Sequence, residues 1–283
     1  MRDDGKIADA RRRLGGHLIG DYRVRLARSL EDLGCVSRLQ AEIWGSPAVA
    51  APPTLLRALA AAGGIVLLAE VGGRAVGFAY GFTGWGGGGF PYHRSHAAGL
   101  LAPVRGQGLG KALKLAQRRE ALRRGLERMV WTFDPTQAGN AHFNLHSLGA
   151  VGRRFERNYY GSREDALNQD GPTDRVVVEW FLRPTEQRHL ERARGAEAGV
   201  FVELPPAAAG LSRPRQPGRR RLRSQLEAGF AAGLEIVDFE RSSNRYRFAQ
   251  LPAGFPAAAE GGSVPPSSAS RSARAPNTSS SLP

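Results

Sequence analysis

The chain has 283 residues, more than one average domain requires, so one domain with extensions or two small domains is expected. Forty Lys and Arg against 26 Asp and Glu give a net charge of +14, which points to an anionic partner or substrate; because 37 of those cations are Arg, no single basic run carries much weight. The lone Cys35 excludes an intramolecular disulfide and a multi-cysteine metal site, and no stretch is long and apolar enough for a membrane span or a secretory signal, so a cytoplasmic protein is expected.

Residues 1–20 are charged and broken by glycine, which predicts a disordered tail. Tyr22 to Leu26 reads as a strand, Leu30 to Ile43 as a helix and Pro53 to Ala62 as a short second helix. The run IVLLAEVGGRAVGFAYGF supplies two β-rich segments joined by Gly72-Gly73, a hairpin signal. Residues 83–94, TGWGGGGFPYHR, read either as a lid in which Trp85 lines an acceptor pocket or as a plain hairpin excursion. A strand from Ser95 to Val104, a helix from the following glycines to Leu126 and a strand over Met129 to Phe133 imply a parallel crossover pair inside a hairpin-rich sheet. A helix over Gln137 to Leu148 and strands near Val151 to Tyr159 and Arg175 to Leu182 complete a main unit over residues 21–185. Residues 186–250 read as a small extension with one helix and two strands, LEIVDF and RYRFAQL, and residues 251–283, rich in Pro, Ser, Ala and Gly, as a second disordered tail.

The crossover helix opens on VRGQGLGKALK, residues 104–114. A helix N-terminus offers unpaired N–H groups and a partial positive charge, and glycines at 106, 108 and 110 let backbone approach an anion closely. A nucleoside-triphosphate loop fails, since Gly106 to Gly110 encloses three residues rather than four and Ala112 follows Lys111; the dinucleotide fingerprint fails because Gly108 and Gly110 are two apart.

The stretch does resemble the acyl-CoA pyrophosphate loop of the GNAT superfamily of N-acyltransferases, with Arg105, Gly108 and Gly110 at the motif positions. The strings RGQGLGKALKLAQRREAL, WTFDPTQAGNAHFNLHSLGAV and NYYG are similar to a bacterial subgroup of that superfamily, whose C-terminal extension the 198–248 region also resembles. The resemblance implies an α+β GNAT fold: a mixed, mostly antiparallel sheet with a parallel crossover pair, helices on both faces and a small C-terminal appendage. It implies acetyl-CoA, or another acyl-CoA such as succinyl-CoA, as co-substrate and no metal. The pyrophosphate would meet Arg105, Gly106, Gln107, Gly108, Leu109, Gly110 and Lys111; the pantetheine arm would meet backbone near Leu100 and Leu101, and one of Asn140 and Asn144, which sit one helical turn apart and so share a face, would contact the pantetheine or adenine side.

The acceptor implied is an amine, a small molecule or amino acid, attacking directly in a ternary complex. With an ordinary pKa of about 10.4, only about one amine in 2,500 is neutral at pH 7, so a base is needed, and His96 on the strand entering the loop is the candidate. The departing thiolate needs a proton, yet Leu145 stands where a tyrosine is usual in the family, leaving Tyr159 or Tyr160 to substitute. Asp134 reads as an amine-binding carboxylate or, slightly better, as a turn residue. His142 and His146 have i, i+4 spacing but no third ligand in sequence reach. A basic nucleic-acid-binding protein and a CoA-binding domain without catalysis are the rival readings; the first suffers because the Arg runs lie in apparent tails and linker, and the sequence leaves the oligomeric state, a homodimer included, open.

Overall fold

The computed structural model describes residues 21–161, 173–195, 199–207, 214 and 216–259. β1 (Tyr22–Leu26) leads into α1 (Leu30–Trp44). Ser29 fixes the start of α1: its hydroxyl accepts from the Asp32 N–H while the Asp32 carboxylate accepts from the Ser29 N–H, and Gly45 at φ 74° ends the helix in the left-handed region. After α2 (Pro53–Ala61), β2 (Ile65–Val71) and β3 (Arg74–Trp85) form the expected hairpin, with both turn glycines at positive φ. Then come β4 (Pro91–Leu100), α3 (Leu109–Arg123), β5 (Arg128–Phe133), a short α4 (Ala138–Ala141) running into a π-turn over His142–Ser147, β6 (Val151–Glu156) and β7 (Arg175–Phe181).

These seven strands and three more form one sheet in the order β1-β2-β3-β4-β5-β7-β6-β9-β10-β8, where β8 is Val200–Glu203, β9 Glu235–Glu240 and β10 Arg245–Ala249. Every pair is antiparallel except β4 with β5. Strand residues alternate between faces, so Val66, Leu68 and Phe78 meet Leu33, Val36 and Leu56 from α1 and α2, while Ile65, Leu67 and Met129 meet Leu109, Leu113 and Ala116 from α3 on the other side. Each such fully buried aliphatic side chain contributes about 1.5–3 kcal/mol.

The C-terminal extension continues the main sheet rather than hanging from it. Gly152 on β6 pairs with Ile236 on β9, and a Cβ at Gly152 would lie 2.9 Å from that of Ile236, so only glycine lets the two strands meet. α6 (Gln216–Ala231) covers this part on the α3 side through Leu222 and Leu226, and α5 (Pro184–Gly195), which with β8 the sequence did not reveal, covers the opposite face through Leu190 and Ala193.

Residues 251–259, expected to belong to a disordered C-terminal tail, are instead held in place. Residues 251–259 lie on the sheet, with Phe255 edge-on to Phe181 at 4.8 Å, the Pro256 and Ala257 carbonyls accepting from Arg153 and Arg128, and the Ala259 N–H donating to Glu179. One aromatic anchor and three buried or half-buried charged side chains hold a segment that is otherwise poor in apolar residues. The expected tail over 1–20 and the remainder, 260–283, lie outside the described residues.

Candidate active site

β4 and β5 pair over only two rungs, His93 with Met129 and Arg94 with Val130. Beyond them β4 runs on to Leu100 and β5 to Phe133 without further pairing, so the sheet opens into a fork. A bulge at the mouth turns β4: its register with β3 shifts between Tyr80–Ala97 and Gly81–Ser95, leaving His96 as the extra residue. Gly81 makes the shift feasible, since a Cβ there would sit 2.2 Å from the Arg94 carbonyl oxygen.

α3 starts beside the open end of the fork. Gly106 and Gly108 have φ of 75° and 87°, conformations that glycine alone adopts without cost, and Gly108 is the N-cap with no side chain satisfying the helix end. The first bonded N–H is that of Ala112, to the Gly108 carbonyl. Among the described residues, no acceptor is found for the N–H groups of Gly106, Gln107, Gly108, Leu109, Gly110 and Lys111, and the loop from 105 to 108 is largely exposed while Leu109 is buried as its anchor. The side chains expected to add to this mouth are partly committed: Arg105 Nε donates to the Leu100 carbonyl at 2.9 Å and Gln107 Nε2 to the Pro103 carbonyl at 2.8 Å. Lys111 is half-buried.

Along the fork edge, the Leu101 N–H donates to Val76 on β3, so Leu101 points away from the gap. Antiparallel alternation then turns the backbone groups of Ala98 and Leu100 toward β5. Of the two backbone positions expected there, Leu100 therefore faces the gap and Leu101 does not. Leu100 and Phe143 side chains converge on Gly110 at the mouth, each about as near as van der Waals contact with a Cβ at that position allows.

On one face of the fork, His96 is exposed, its ring 5.5 Å from that of Tyr80 and 6.0 Å from that of Phe82. The Tyr80 hydroxyl donates to Gln40 on α1, and its pKa is pushed up to about 12, by burial first and the Tyr160 phenol second. Tyr159 and Tyr160 lie in the turn after β6 rather than on a strand, and that turn carries them to the fork: Arg94 donates to the Tyr159 hydroxyl at 2.7 Å, and the Tyr160 hydroxyl is 3.2 Å from Thr132 Oγ1.

The other face is interior. Lys114 Nζ donates to Ser95 Oγ at 2.8 Å and lies 3.9 Å above the Trp131 ring; Ser95 Oγ in turn donates to Gln117 Oε1 at 2.9 Å. Burial alone lowers the Lys114 pKa to about 7. His93 beside it falls to about 3, by burial and then by the charges of Lys114 and Arg124. Sequence reading passed over this cluster, although Lys114, Gln117 and Glu120 recur at the helical spacing of the apolar stripe Leu109, Leu113 and Ala116, a polar interruption on a sheet-facing side.

Several expected site residues are placed elsewhere. Asn140 and Asn144 do not share a face, because the helix widens after Ala141: the Leu148 N–H reaches back five residues to Phe143, which shifts the phase. Asn140 is exposed, whereas buried Asn144 accepts from Trp131 Nε1 at 3.0 Å and holds that indole over the interior face of the fork. Leu145 is fully buried in the core. Asp134 forms a turn, its Oδ1 accepting from both the N–H and the hydroxyl of Thr136. Trp85 is 70% exposed at the end of β3, paired with Pro91, so residues 83–94 are mostly an extended hairpin closed by Gly86 to Phe90. His142 and His146 stack on each other, and His146 Nδ1 lies 3.0 Å from Asp238; among the described residues no group of three metal-ligating side chains occurs.

The parallel crossover pair and the helix opening on glycines are as the sequence led one to expect; the fork and the bulge at its side are additions of the tertiary structure. Residues 33–149, which contain all of these except the Tyr159–Tyr160 turn, match the family model of the acetyltransferase (GNAT) family. This segment is a GNAT acetyltransferase domain. No curated protein matches the chain. Among solved structures it is similar to Naa50 of Arabidopsis thaliana in complex with the bisubstrate analogue CoA-Ac-MVNAL (19% identity, 56% of this chain and 97% of that chain, TM-score 0.45). It is likewise similar to the ribosomal-protein-S18-alanine N-acetyltransferase of Escherichia coli (17%, 57% and 94%, TM-score 0.45) and to yncA of Salmonella typhimurium with its cofactor acetyl-CoA (20%, 58% and 95%, TM-score 0.46). Outside the GNAT domain, no helix among the described residues, nor any within it, is long and apolar enough to cross a membrane.

Proposed function

We propose that the protein is an N-acyltransferase that moves an acyl group, acetyl first among the choices, from acyl-CoA to a small amine or amino acid by direct attack. The observation that carries the reading is the run of N–H groups from Gly106 to Lys111 that find no acceptor among the described residues, at a helix end that adds its own partial positive charge. A diphosphate satisfies several of them at once. Acyl-CoA supplies the activated thioester; the chain's part is to hold it and manage protons. Ala98 and Leu100 offer edge-strand backbone groups to the two amides of the pantetheine arm, as a neighbouring strand would.

An arm threaded between β4 and β5 ends where the two strands join. There the exposed face presents His96, Tyr159, Tyr160 and Thr132, and the amine approaches from that side. His96 takes the ammonium proton, directly or through water, because imidazole is the side chain whose ordinary pKa lies near neutrality and the exposed ring is open to the acceptor side. Arg94 and Tyr159 fix the far wall of the acceptor space.

The test is calorimetry with CoA followed by a thiol-release screen of several acyl-CoAs against an amine panel. Binding heat that weakens with salt, thiol release with at least one amine, and about a 100-fold lower kcat in His96→Ala are expected. Absence of heat with CoA refutes the reading; heat without thiol release from any pair marks a binding domain instead.

A further inference from the structure

Lys114 is the buried cation that the proposed mechanism leaves unused. Its ammonium lies between Ser95 and Trp131, and these are the first residues of β4 and β5 past the last paired rung. From Leu100 to Ser95 the strand spans five residues, about 17 Å, which matches the reach of an extended pantetheine arm from the helix mouth to the join. The sulfur at the end of that arm therefore arrives beside the Lys114 side chain.

Immediately around Nζ the described residues offer no other acid, Glu120 lying nearly two turns further along α3. Facing Nζ are Ser95 and His93 from β4, Gln117 from α3 and Trp131 from β5, with Asn144 beyond the indole. Ser95 already donates to Gln117, His93 is held neutral, and Leu145, on the turn behind, is apolar. Two buried polar atoms of the cluster, His93 Nε2 and Gln117 Nε2, have no partner among the described residues, so the pocket is not closed as a purely structural network.

We propose that Lys114 delivers the proton to the departing CoA thiolate at the β4–β5 join. The proposal rests on the acyl-CoA reading above. As the amine nitrogen bonds to the acyl carbon, the C–S bond breaks and its electron pair stays on sulfur. Sulfur takes a proton from Lys114 Nζ; the substrate nitrogen gives up two protons, one to His96 before it attacks and one to solvent as the amide forms, and exchange with solvent resets His96 and Lys114, so one proton is released overall when the acceptor enters as an ammonium. An ammonium that burial has brought to about 7 gives its proton downhill to a thiolate whose ordinary pKa is about 8.5, which an ordinary lysine could not do.

The experiment compares wild type with Lys114→Met, an apolar side chain of similar length, in the complex with CoA alone. Calorimetry reads binding, and the ultraviolet absorbance of the thiolate reads ionisation of the bound thiol. Affinity within about threefold of wild type and a bound thiol at least tenfold harder to ionise in K114M are expected, because the nitrogen that stabilises the thiolate is gone. With an amine substrate, kcat falls about 100-fold or more at nearly unchanged KM for acyl-CoA, and Lys114→Arg, charged but a poor acid, does not restore it. Equal thiol ionisation in wild type and K114M overturns the Lys114 proposal while leaving the transferase reading intact. No CoA binding by wild type overturns both.

Discussion

Replacing Lys114 by Met is expected to stabilise the protein, and by an amount that depends on pH. Lys114 is 6% exposed, and burial brings its pKa from the ordinary 10.5 to about 7. The unfolded chain therefore binds a proton that the native state releases between pH 7 and 10.5. Stability rises with pH across that window, and below pH 7 the full cost of burying the charge is present. At about 1.4 kcal/mol per pH unit this cost is about 5 kcal/mol. Met removes it but loses the hydrogen bond to Ser95, worth about 1 kcal/mol. K114M is thus about 4 kcal/mol more stable than wild type at pH 6–7, and the two come within about 1 kcal/mol near pH 10.5. Urea unfolding of both proteins at pH 6.5, 8.5 and 10.5 measures the difference directly. A K114M protein that is less stable at pH 6.5, or a difference that does not shrink with pH, refutes the assignment of a buried, easily discharged amine.

Three further outcomes follow from particular contacts. Gly81→Ala places a methyl 2.2 Å from the Arg94 carbonyl and 2.7 Å from the His93 ring, so the β3–β4 bulge must move; a loss of about 1–3 kcal/mol in denaturant unfolding is expected, with weaker CoA heat because the fork is distorted. Asp134→Ala removes two hydrogen bonds to Thr136 and costs about 1 kcal/mol, while kcat and KM for the amine stay within twofold; a large rise in KM would instead place this carboxylate in acceptor binding. Phe255→Ala releases the edge contact with Phe181, which pairs with Arg128 at the end of β5 away from the fork, so about 1–2 kcal/mol of thermal stability is lost and CoA affinity is unchanged.

Local signals explain why much of the fold could be read from the chain. Gly72-Gly73 can serve only as a tight turn between two β-rich runs, and strand, glycine loop and strand from 95 to 133 force a parallel crossover. The glycine spacing at 106, 108 and 110 describes a backbone shape that needs no distant partner, which is why the helix mouth emerged as expected. Asn140 and Asn144 failed for the opposite reason. Their shared face assumed a regular helix, and the π-turn that separates them leaves no mark in residue type. Tyr159 and Tyr160 reach the fork only because their turn folds across to Arg94 and Thr132, residues 65 and 28 positions away in sequence.

The sequence by itself determined the strand and helix periods, the hairpin and the glycine loop that opens the crossover helix, because each is set by backbone freedom and side-chain alternation over a few neighbouring residues. Only the tertiary structure decided that two strands part after two rungs, that three of the ten strands come from the C-terminal extension, and that Lys114 is buried between Ser95 and Trp131. Desolvation is the physical reason for the last: the same lysine on an exposed helix face would keep its ordinary charge, and nothing in its sequence neighbours specifies how much water the fold removes.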